Sequence, residues 1–203
     1  MERFFANSIG VTGGLASGKS SVAKALADML GYCLFDADAE VASLLKKEAE
    51  GWFFLRSLLA PDFFLKNGAL DKPKLRDTIF EDCALRKKIE ERLHPLVRKQ
   101  LKRKVDEAYT DNGQKSLIEV PLLYEANWQS DFAKVLVVAV SENIAVARGS
   151  LRDGVTSDQI KKTLSAQFPL KEKIELADYV IDNDKNWDHT FKQIVQLKKI
   201  LTP

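Results

Sequence analysis

Cysteine, histidine and long apolar runs are all scarce in this 203-residue chain, and each shortage removes a class of explanation. Cys33 and Cys83 are too few for a disulfide framework or a four-ligand zinc site, so a reducing compartment is the simpler inference. The two histidines, His94 and His189, join no Cys–His–carboxylate set, and a catalytic histidine is not indicated. With 10 Gly and 6 Pro, neither a collagen-like nor a low-complexity chain fits. The longest apolar stretch, Val135 to Val140, is far shorter than the roughly 20 residues that span a bilayer. The start, Met1-Glu2-Arg3-Phe4-Phe5, carries an acid and lacks a signal peptide's apolar run. A cytoplasmic protein with no membrane partner is expected. Charge of one sign is also lacking: 31 Lys plus Arg face 29 Asp plus Glu, a net +2. A protein that binds nucleic acid over its whole surface would be more basic, so no nucleic-acid partner is expected.

What is present is an alternation of two kinds of segment. Short β-branched runs stand at Ser8–Val11, Tyr32–Phe35, Ser116–Val120, Val135–Val140 and Tyr179–Ile181. Each is apolar on both faces, as parallel strands covered by helices on both sides would be. Between them lie amphipathic helical patterns. In Ser20–Leu30 the residues Val22, Leu26, Met29 and Leu30 form one stripe, and Gly31 follows as a C-terminal cap. Trp187, Phe191, Ile194, Leu197 and Leu201 predict a closing helix. The alternation predicts an α/β fold with a five-stranded, doubly wound parallel sheet. Residues 38–110 break it with helical patterns alone, punctuated by Pro61, Asn67-Gly68, Pro73 and Pro95, and read as a helical insertion. The chain reads as one domain over 1–203, with a core of about 1–37, 111–147 and 177–203, this insertion, and a helical lid over about 148–176.

Gly13-Gly14-Leu15-Ala16-Ser17-Gly18-Lys19-Ser20 matches G-x-x-x-x-G-K-[ST]. Glycines let successive backbone N–H groups turn inward around phosphate oxygens. Lys19 adds a point charge, and the Ser20 hydroxyl reaches Mg²⁺. The helix that follows, from Ser20 and Ser21 onward, points its positive end at the same anion. Random order of this composition gives roughly 0.005 such matches per chain. A strand-like run precedes the loop and an amphipathic helix follows it. Nucleotide binding is the reading.

Three further groups gain meaning beside that loop. Asp36 and Asp38 stand at the end of the second strand, where ligands of open α/β sheets sit. One could orient an attacking hydroxyl and the other serve Mg²⁺ through water, or Asp38 could simply cap a helix beginning at Ala39. Arg148 and Arg152 share a helix face, and their guanidinium groups could clamp phosphate oxygens from a lid hinged at Asp153-Gly154. The segment Arg86–Lys104 holds nine basic and two acidic residues, a local +7. It is either a solvated helix face or an attractor of a polyanionic substrate. No aromatic residue interleaves with these charges before Tyr109, which argues against nucleic acid. His94 before Pro95 reads as a helix junction.

These motifs, in this order, resemble the dephospho-coenzyme A kinase family along nearly the whole chain. The resemblance runs through Thr12-Gly13-Gly14 to Ser20, the D-A-D of Asp36 to Asp38, and Leu70, Leu75, Arg76, Ile79 and Phe80. It continues with Leu93-His94-Pro95, Pro121-Leu122-Leu123-Tyr124-Glu125, Arg148, Arg152-Asp153, Gln167, and Ala177 to Asn183. It implies ATP- and Mg²⁺-dependent phosphorylation of the ribose 3′-hydroxyl of dephospho-coenzyme A on a phosphate-loop kinase core. It also implies that Arg148 and Asn183 join residues 13–21 around the nucleotide. Asp36, Asp38, Lys72, Arg76, His94, Leu122 and Glu125 would meet the acceptor, with Asp38, Lys19 and Arg152 as the catalytic set. Ala16 stands where the family has a loop glycine, and Lys72 where an Arg is usual. Another small-molecule or nucleoside monophosphate kinase is the nearest alternative. A guanine-nucleotide switch would need an N-K-x-D segment, which the chain lacks.

Overall fold

The computed structural model describes residues 3–202. In chain order they form β1 (Phe5–Gly13), α1 (Lys19–Leu30), β2 (Cys33–Asp36), α2 (Ala37–Leu44), α3 (Glu50–Leu58), α4 (Lys72–Glu81) and α5 (Cys83–Asn112). Then follow β3 (Ser116–Glu119), β4 (Phe132–Ala139), α6 (Glu142–Asp153), α7 (Ser157–Ser165), α8 (Leu170–Leu176), β5 (Tyr179–Asp182) and α9 (Trp187–Leu201). Two compact units result, one of residues 3–36 and 105–202 and one of residues 37–104.

The first unit is built on a five-stranded parallel sheet of order β2-β3-β1-β4-β5. Side chains alternate across it as strand geometry demands. Ile9 and Val11 of β1 point with Leu117, Leu136, Val138 and Ile181 into one apolar layer. Val22 and Leu26 of α1 and Ile194 and Leu197 of α9 close that layer. Phe5 and Phe132 stack at 5.0 Å between β1 and the start of β4, both fully buried. Because β1 is central and the order reverses around it, the loop after β1 emerges at the switch point of the sheet. Burial on both faces holds for β3 and most of β4 but not for β2 and β5. Those two are the sheet edges, so Leu34 and Val180 keep about two-fifths of their surface exposed.

In the second unit, α3, α4 and the first half of α5 gather Leu55, Leu70, Leu75, Ile89 and Leu93 into a core of their own. Two expectations change here. Helix α2 starts at Ala37, so Asp38 lies inside its first turn and does not cap a helix at Ala39. Helix α5 runs unbroken through Pro95, so His94-Pro95 is no junction. Ile89, Leu93, Val97, Leu101 and Val105 recur every four residues and are all buried. That continuous stripe outweighs the ~3 kcal/mol cost of an interior proline. The basic run lies along the same helix, where Arg86 and Lys87 pair with Glu90 and Glu91 one turn on, and Lys104 pairs with Glu40.

Two outcomes are expected. Leu26 seats α1 behind the loop and is fully buried. Leu26→Ala should cost about 2–5 kcal/mol of unfolding free energy, read by denaturant titration with unchanged slope. His94 is half-buried, and burial, aided by the Arg98 charge and opposed by Glu90, holds its imidazole below its ordinary value. The fold therefore prefers neutral His94. That stability is complete above the unperturbed value near pH 6.5 and is lost as pH falls through the lower folded value. Unfolding free energies at pH 7.5 and 5.5 should differ less in His94→Gln than in the parent; an equal difference contradicts this.

Candidate functional site

Beyond the C-terminal end of β1 the chain turns through Gly13 and Gly14 and enters α1 at Lys19. Gly18 closes the loop in the left-handed conformation, with φ 81° and ψ 22°. A side chain there would also collide, because a Cβ would lie 2.4 Å from Asn183 Nδ2. Ala16 adopts φ 54°, a conformation that favours glycine by roughly 1 kcal/mol, so the alanine is accommodated under strain. No side chain caps α1 and no acid stands in its first turn, where Lys19, Ser20 and Ser21 begin the helix. The positive end of the helix dipole is therefore left for a ligand's charge. Lys19 Nζ donates to Gly14 O at 2.9 Å, folded back across the mouth of the loop. Leu15 is partly exposed, and Ser17 is wholly buried, with its hydroxyl oxygen lacking a hydrogen-bond partner among the described residues.

The neighbouring strand supplies a carboxylate that the sequence reading missed. Ser20 Oγ donates to Glu119 Oε1 at 2.7 Å, and Glu119, the last residue of β3, is buried. Asp36, the last residue of β2, is its register partner across the sheet, so two carboxylates close adjacent strands at the loop end. The signal was present as an acid ending the apolar run Ser116-Leu117-Ile118. A serine hydroxyl with one or two carboxylates is a hard-oxygen set, which suits Mg²⁺ holding several waters and phosphate oxygens. Among the described residues no three His, Cys, Asp or Glu gather into a protein-only metal cage.

On the far side of the loop, Asn183 follows β5. Its Nδ2 donates to Ser17 O at 2.8 Å, and Arg148 of α6 donates to its carbonyl at 3.1 Å. Arg152, one turn on, forms a two-pronged pair with Asp153 at 2.7 and 2.8 Å. That guanidinium holds the Asp153 carboxyl below the usual carboxylate range. A cavity of about 310 Å³ opens beside Gly14, walled by Val140, Ala145, Leu164, Phe168 and Lys173. Glu125 is anchored there, its Oε1 accepting from Phe168 N at 2.9 Å and from the buried Lys173 Nζ at 2.7 Å. Nothing in the sequence pattern of α8 marked Lys173 as an interior cation. Leu122, three residues before Glu125, is exposed.

The first unit thus brings together residues 13–21, Glu119, Arg148 and Asn183, with Asp36 at the same C-terminal end of the sheet. Asp38, Lys72, Arg76 and His94 belong to the second unit: Asp38 in the first turn of α2, Lys72 and Arg76 exposed on α4, and His94 on α5.

Comparison with known proteins gives this geometry its context. A family model described as dephospho-CoA kinase matches residues 7–189. The dephospho-CoA kinase of Desulfotalea psychrophila is 39% identical over 92% of this chain and 94% of its own. That of Geobacillus kaustophilus is 33% identical over 94% of each chain. The crystal structure of TT1252 from Thermus thermophilus superposes with a TM-score of 0.84 at 28% identity, covering 97% of both chains. Dephospho-CoA kinase from Campylobacter jejuni, at 22% identity and a TM-score of 0.69 over 97% of this chain and 98% of its own, shares the fold. On a match that spans nine-tenths of its length, the chain belongs to the dephospho-CoA kinase family.

Proposed function

We propose that this protein transfers the γ-phosphoryl group of ATP to the ribose 3′-hydroxyl of dephospho-coenzyme A, giving coenzyme A and ADP. The observation that carries the reading is the loop of residues 13–20 at an uncapped helix start, beside a serine–carboxylate pair, in a chain of this family. Phosphoryl transfer needs little covalent help from a protein. Charge stabilisation and alignment do most of the work. Residues 13–21 would hold the phosphates through backbone N–H groups, with Lys19 swinging off Gly14 O to follow the charge that moves in the transition state. Ser20, with Glu119 and Asp36 behind it, would hold Mg²⁺, which when bound neutralises phosphate oxygens.

Asp38 is assigned to the acceptor hydroxyl, two residues beyond Asp36 at the end of β2. A ribose hydroxyl is a weak nucleophile, so the carboxylate mainly orients it and takes the proton late. Lys72, Arg76 and His94 are assigned to the acceptor's anionic part, with Leu122 and Glu125 contributing from the core. Residues 148–176 act as the lid. In closing, Arg152 exchanges the Asp153 carboxylate for phosphate oxygens, while Arg148 stays on the Asn183 carbonyl. Exclusion of water then strengthens each contact and limits ATP hydrolysis.

Purified protein with ATP and Mg²⁺, offered dephospho-coenzyme A, AMP or shikimate, should form ADP rapidly with the first alone. Equal turnover of AMP or shikimate moves it to another kinase class. Lys19→Ala should keep its unfolding midpoint and lose about 10²–10³-fold in kcat, as a lost transition-state contact does. Near-parent activity in that folded variant ends the loop's assigned role. Asp38→Asn should lose roughly 10²-fold in kcat with ATP affinity little changed. If Asp38→Asn is fully active and Asp36→Asn is dead, the two carboxylates exchange roles.

A further inference from the structure

Asn183 has a partner for every polar group it carries. Its backbone N–H donates to Ala139 O of β4 at 2.8 Å, and its carbonyl accepts from Arg148 at 3.1 Å. In the side chain, Nδ2 donates to Ser17 O at 2.8 Å and Oδ1 accepts from Thr190 Oγ1 at 2.7 Å. Asn183 is buried and Thr190 has no exposed surface. One residue therefore joins the phosphate loop, the arginine helix α6, the sheet and α9.

The orientation of the amide is forced. Turned over, it would set Oδ1 against the Ser17 carbonyl, two acceptors facing each other with no hydrogen between them. The Thr190 hydroxyl is what opposes that turn, because it donates to Oδ1. Its other acceptor, Asn186 O, is at the longer distance of 3.5 Å. The amide also occupies the space that a side chain at residue 18 would fill. The left-handed turn at Gly18, which aims the start of α1 at its ligand, thus packs against the same amide.

We infer that Asn183, locked by Thr190, is a positioning residue for phosphoryl transfer: it fixes the phosphate loop and anchors Arg148 from one point, and its amide acts through the loop and not on the nucleotide. The inference rests on the kinase reading above and specifies how that site is held. Binding ATP then demands little rearrangement, since the Ser17 carbonyl is already held by the Asn183 amide. Loss of the Thr190 hydroxyl frees the amide, so the loop loses its reference at Ser17 O while Arg148 keeps its hold on the Asn183 carbonyl.

The test compares Thr190→Val, Thr190→Ala and Thr190→Ser with the parent. Thermal unfolding is measured without ligand, ATP affinity by calorimetric titration, and kcat and KM for each substrate by ADP release. Thr190→Val and Thr190→Ala should fold, bind ATP about tenfold more weakly, as loss of one buried hydrogen bond implies, and show a raised KM for ATP. At saturating ATP the KM for dephospho-coenzyme A should stay within twofold. Thr190→Ser should restore ATP affinity. Unchanged ATP affinity in the folded Val and Ala variants overturns the inference, as does failure of both to fold, which would make the contact purely structural. If the parent binds ATP yet does not phosphorylate dephospho-coenzyme A, the kinase reading fails and the titrations still decide this one.

Discussion

The structure depends on one constraint: just past the end of the central strand, α1 must start with no side-chain cap and no acid in its first turn. That requirement explains why Gly18, with no side chain, stands at the start of α1. It also explains the buried chemistry around the loop. Glu119 meets Ser20 and Asn183 meets Ser17, so each polar neighbour grips the loop from behind or from the side. A helix start left open in this way keeps its positive dipole end for an anion, and the parallel sheet beneath it supplies the rigidity.

The charged groups around it are held in place by protein partners. Lys19 rests on Gly14 O, Arg152 on Asp153, and Lys173 on Glu125. Exposed pairs such as Arg152–Asp153 are worth little in stability, so a phosphate oxygen can displace the carboxylate at small cost. The Lys173–Glu125 pair differs: Lys173 is wholly buried, and removing Glu125 would strand its charge. The first kind of pair suits a moving part and the second suits a fixed wall.

The phosphate loop, the five parallel strands and the helices flanking them were legible because their signals are local. Apolar runs of three to six residues read as strands, and Gly31 ends α1 in the left-handed conformation its position suggested. What the sequence hid was non-local. Whether a strand is central or at the edge depends on sheet order, and so the exposure of Leu34 and Val180 was not foreseen. Pro95 looked like a break because local propensity was weighed without the five-residue buried stripe that carries α5 through it. Glu119, Asn183 and Lys173 became meaningful only when contacts 99, 166 and 48 residues apart in sequence were visible, and Thr190 only through Asn183.

The most direct test of the central claim follows the phosphorus itself. Phosphorus NMR of a reaction holding the protein, ATP, Mg²⁺ and dephospho-coenzyme A separates a ribose phosphomonoester from the pyrophosphate of either compound. A new 3′-phosphomonoester signal should grow in step with ADP, one for one. ADP and inorganic phosphate without that signal, or a phosphomonoester at another position of the acceptor, would contradict the account.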